Sequence, residues 1–106
     1  MTAYSKLYSL MLETNKYSKY LNPEFYEMFK KSISNIYDHS AMLYVKFLGM
    51  ADPEKIPSDA VVTAQIKKEI LRLESLRDNY ALQDNVEAFR KKNICDFLIN
   101  LFKPLV

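Results

Sequence analysis

The chain of 106 residues holds one histidine and one cysteine, and neither has the neighbours that catalysis would require. His39 follows Asp38, but a working imidazole needs an orienting carboxylate and a nucleophile within hydrogen-bond reach, and no such set is spelled out. Helical spacing puts His39 on a polar side, where a solvated ring is expected. A carboxylate-bridged metal site in a helical bundle would want Glu-x-x-His, yet the residue three before His39 is Ile36. Glu24 and Glu27 are read as partners of a helix dipole, and one Cys with one His cannot close a zinc site. Cys95 is read as a small apolar side chain. No catalytic residue, metal or cofactor is expected.

Phosphate chemistry would need basic side chains on a shared surface. Candidates are Lys67, Lys68 and Arg72, then Arg90, Lys91 and Lys92, with a further pair at Lys30 and Lys31. All sit among acids such as Glu27, Glu69, Glu74 and Glu87, as solvated helix faces do. The formal charge of +2 is also evenly spread, with six basic and five acidic groups in residues 1–53 and nine and eight in residues 54–106. That balance argues against a polycationic nucleic-acid binder.

The stronger positive signal is apolar. Of fourteen aromatic residues eight are tyrosines, and Tyr26, Tyr37 and Tyr44 line one flank of a single predicted helix. Tyrosine suits the edge of a core and equally the middle of a protein interface. In the last helix, Ile94, Phe97, Leu98, Leu101 and Leu105 make a core side, while Cys95, Ile99 and Phe102 widen the apolar arc to roughly 200°. Either that helix is covered on two sides by its own chain, or Cys95, Ile99 and Phe102 meet a partner.

These groups must be positioned by helices, because the chain has a single glycine, Gly49, and so lacks the backbone for most tight turns and phosphate loops. A first helix is expected after Thr2, with Tyr4, Leu7, Tyr8, Met11 and Leu12 on one stripe and an end within residues 15–21. Asn22 as N-cap and Pro23 at the first turn open a second helix that can run to Leu48, with Phe25, Phe29, Ile33, Ile36, Leu43 and Phe47 inward and Gly49 as its stop. Residues 51–57 form the longest connection, with room for a short extra helix near 52–57. Ser58 caps a third helix through about Asn79, with Val62, Ile66, Ile70, Leu73, Leu76 and Tyr80 inward. Asp84, with Glu87 three residues on, has the form of a capping box for a fourth helix ending near Lys103, before Pro104.

The expectation is one all-α domain over residues 1–106, an antiparallel four-helix bundle in up-down-up-down order. The lone cysteine, the absence of a secretory leader and the lack of any 18-residue apolar run point to the cytoplasm. The leading functional expectation is a non-enzymatic module that binds another protein or itself. The alternatives are a nucleic-acid binder using the basic clusters of the third and fourth helices, and a peripheral membrane or immunity-type protein using the greasy last helix.

Overall fold

A computed structural model describes residues 3–38 and 59–106 of the chain. The fold is all-α, and the described residues form four helices: α1 (Ala3–Lys16), α2 (Pro23–Asp38), α3 (Asp59–Ala81) and α4 (Val86–Phe102). Short 3₁₀ turns follow α1 at Ser18–Tyr20 and α4 at Lys103–Leu105. His39, Tyr44, the expected helix stop at Gly49, the extra helix near 52–57 and the Ser58 cap lie outside the described residues.

Local chemistry explains where the helices begin. Asn22 Oδ1 accepts from the backbone N–H groups of Glu24 at 2.9 Å and Phe25 at 3.1 Å, so two donors that α2 leaves orphaned are satisfied before Pro23 sets the first turn. α4 is capped one residue later than the capping box implied. Asn85, with extended backbone, accepts from the Ala88 N–H at 2.8 Å, while Glu87 pairs with Lys91 at 3.0 Å instead of reaching back to a cap. The preceding turn is closed by Leu82 N–H to Asn79 C=O and Gln83 N–H to Tyr80 C=O, without a glycine.

α3 is the helix on which the other three lean. It forms an antiparallel hairpin with α4 across a four-residue connection, and α1 and α2 each pack against it. In a simple up-down-up-down ring α1 would rest chiefly on α2; here it rests on α3 and on the C-terminal turn. Val62, Ile66, Ile70 and Leu73 are the buried ridge of α3, as their spacing requires, with Leu76 and Tyr80 packed at its edge. α1 contributes Ala3, Leu7 and Met11, a row of four-residue steps, which leaves Leu12 half exposed and off the expected stripe. α2 contributes Phe29, Ile33 and Ile36. Leu105, in the last turn, closes the end of the core.

Candidate interaction surface

The apolar arc of α4 divides differently from the sequence expectation. Cys95, Ile99 and Phe102, read as surplus and available to a partner, are 0 %, 2 % and 0 % exposed and belong to the protein's own core. They are not free to act as interface anchors. Phe97, read as core, is 55 % exposed, and Phe89 and Val86 are 61 % and 70 % exposed on the same side. The physical reason is that α4 is wedged between α2 and α3 and turns its Ala88, Cys95, Leu98, Ile99 and Phe102 side toward both. Helical spacing gives the relative angles of these side chains, and the packing of the neighbours selects which angle points inward.

An aromatic stack joins the two sides. Phe102 stacks on Phe29 at 6.2 Å between centroids, Phe29 on Phe25 at 6.3 Å, and Phe25 meets the edge of Phe97 at 5.3 Å and 84°. Phe97 is thus steadied by α2 while one side of its ring faces out. Arg90 reaches Glu24 on α2 at 3.9 Å from the same flank, and on the other flank Asp96 is approached by Lys92 and by Arg77 of α3, both at 3.4 Å. Val86, Phe89 and Phe97 therefore form an exposed apolar stripe with charged borders. Leu82, in the preceding turn, is exposed beside the start of α4.

Of the tyrosine flank, the side chain of Tyr26 is the one described. Tyr26 is partly buried, donates its hydroxyl to Asn15 Oδ1 at 2.9 Å and carries Lys30 over its ring at 4.8 Å, so it ties α2 to the end of α1. Tyr37 lies in the last described turn of α2, and Tyr44 is outside the described residues.

Of the six basic residues of α3 and α4 considered for phosphate, four engage carboxylates. Arg72 binds Glu69, Lys91 binds Glu87, and Arg90 and Lys92 approach Glu24 and Asp96. Lys67 and Lys68 are exposed and make no ion pair among the described residues. Lys91 also lies over the Tyr80 ring at 5.8 Å, which turns it toward the α3–α4 hairpin.

A buried polar contact escaped sequence reasoning. Glu69 of α3 is enclosed against α2, where it accepts from Asn35 Nδ2 at 3.3 Å and from Arg72 one turn along its own helix. Burial pushes its carboxyl above the usual range, and the bonds from Arg72 and Asn35 offset only part of that rise. Ser32, buried one turn before Asn35, shares this side of α2. Burial likewise pushes the Cys95 thiol upward, away from the thiolate form that redox or nucleophilic chemistry uses. Among the described residues no group of three or more His, Cys, Asp or Glu side chains could hold a metal ion, and no helix is long and apolar enough to cross a membrane.

No protein-family model matches the chain, and neither a curated protein nor a solved structure shows detectable similarity to it.

Proposed function

We propose that this chain is a small non-enzymatic helical module that works by binding another protein or a second copy of itself through the outer face of α4. The observation that carries the reading is the pair Phe89 and Phe97, two large rings on one helix face, each more than half exposed. Covering what remains exposed of such a ring is worth about 1–2 kcal/mol, and aromatic side chains are enriched where interfaces concentrate their binding energy. The buried Cys95, Ile99 and Phe102 support the scaffold behind this face and are not part of it.

The test uses the tagged full chain and its Phe89→Asp/Phe97→Asp variant as baits in cells that express the protein. The wild type should retain a complex that the variant loses, with the circular dichroism of the two unchanged. Identical recovered proteins and identical mass for both overturn the reading.

A phosphate-binding role has one observation in its favour, the adjacent and exposed Lys67 and Lys68 of α3, which have no ion pair among the described residues. It requires binding to DNA or RNA that weakens steeply with salt and is lost in Lys67→Ala/Lys68→Ala.

A further inference from the structure

We propose that the turn at residues 16–20, which follows α1, is a binding site for single-stranded nucleic acid, independent of the outer face of α4. Its sequence is Lys-Tyr-Ser-Lys-Tyr, a cation followed by a ring and then the same pair again three residues on. The Tyr20 N–H donates to the Tyr17 C=O at 2.9 Å as the chain enters the 3₁₀ turn Ser18–Tyr20. Residues three apart eclipse in such a turn, so the two rings stand on one side, about 6 Å apart along the axis, with the two lysines on the adjoining side.

The four side chains are available. Tyr20 is 84 % exposed and Tyr17 46 % exposed, and neither belongs to the core. Lys16 lies over the Tyr17 ring, 5.5 Å from its centroid, which holds cation and ring together. Lys16 and Lys19 are exposed and have no ion pair among the described residues, whereas Lys30, Lys91 and Lys92 are each spent on a carboxylate. α2 braces the turn from below, because the Tyr26 hydroxyl donates to Asn15, the residue before Lys16.

This chemistry selects its occupant. Paired cations suit phosphates, and exposed rings at the same interval suit flat partners. A nucleic-acid strand carries one phosphate and one base per nucleotide, and aromatic rings beside cations are how single strands are held without regard to sequence. The interval favours a single strand over a duplex. Nucleotides of a duplex strand rise by about 3.4 Å and hide their base faces in the stack, while a drawn-out single strand opens those faces at a wider step. A membrane surface fits less well, since it needs a continuous apolar face, and the exposed Leu12 of α1 lies about 140° around the helix from Tyr17. A net charge of only +2 agrees with a binder that leans on stacking as much as on charge.

The test is fluorescence anisotropy of the purified full chain with labelled oligo(dT) and oligo(U) of about twelve nucleotides, and with a duplex of the same length, at low ionic strength. The single strands should bind at least tenfold more tightly than the duplex, with a log–log salt slope of about −1.4 for two phosphates. Tyr17→Ala/Tyr20→Ala should weaken binding tenfold or more at an unchanged slope, while Tyr17→Phe/Tyr20→Phe retains it. Lys16→Ala/Lys19→Ala should bring the slope close to zero. None of these side chains is in the core, so all variants should keep the circular dichroism of the wild type. Absence of binding to either single strand, equal binding to the duplex, or affinity that survives the loss of both rings overturns the proposal. Binding that is lost instead in Lys67→Ala/Lys68→Ala moves the site to α3 and overturns it as well. So does co-sedimentation with phosphatidylserine-containing vesicles that depends on Tyr17 and Tyr20 while the oligonucleotides stay unbound, which assigns the turn to a membrane surface.

Discussion

Asn35 of α2 donates its side-chain amide to the Glu69 carboxylate of α3 across 3.3 Å, joining two helices through the one charged side chain that is buried among the described residues. Arg72, itself substantially exposed, completes the contact from the solvent side. The acid is therefore partnered, yet its ionised form still pays for leaving water.

The sign of that effect fixes a pH dependence. Glu69 has a folded-state pKa above its ordinary value of 4.5, so the folded state holds more protons than the unfolded chain as pH rises from that value. Stability contributed by the neutral acid is full below the unfolded pKa and is lost as pH passes through the raised one. Wild type should lose stability relative to Glu69→Gln over this window, read by urea denaturation at a series of pH values. A difference between the two that does not change with pH refutes it.

Phe102→Ala should cost about 3–5 kcal/mol, because it removes a wholly buried ring, whereas Phe97→Ala should cost about 1 kcal/mol or less. Urea midpoints for the two variants decide this. An equal loss from both would mean that Phe97 carries as much of the fold as Phe102.

Capping gives a prediction at single-residue resolution. Asn85→Ala should destabilise by about 1 kcal/mol, and Asp84→Ala should stay within about 0.5 kcal/mol of wild type, since only Asn85 accepts from the helix. Thermal unfolding of the two alanine variants separates them. Asn22→Ala should behave like Asn85→Ala, having lost two such bonds.

Cys95 should resist thiol reagents in the folded protein at neutral pH, both because it is enclosed and because burial raises its pKa. Its rate of labelling should rise to that of a free thiol only as denaturant unfolds the chain. Fast labelling under native conditions would place Cys95 at the surface.

Much of the fold is legible in residue types. Asn22 followed by Pro23 announces α2, and Val62, Ile66, Ile70 and Leu73 announce the inner ridge of α3, because capping and helical period are local properties of the backbone. The outward face of α4 is not legible in this way. Its apolar arc is wide enough for several orientations, and the choice of Ile99 and Phe102 over Phe97 for the interior is made by packing against α3 and against α2, which is far away in sequence. The cap of α4 illustrates a smaller ambiguity: Asp84 and Asn85 both have the right chemistry, and the backbone selects the second. Glu69 reads as a surface charge until Asn35, 34 residues away, is brought against it.

The ring-to-ring contact from Phe102 through Phe29 and Phe25 to Phe97 runs from the interior to the exterior of a chain that contains no tryptophan. An indole introduced at position 97 would accordingly be the sole strong fluorophore of its kind, and its emission would register both occupancy of the outer surface and loosening of α2. Anything that clamps that outermost ring also braces the rings behind it, so a bound molecule should raise the melting temperature in proportion to the logarithm of its concentration.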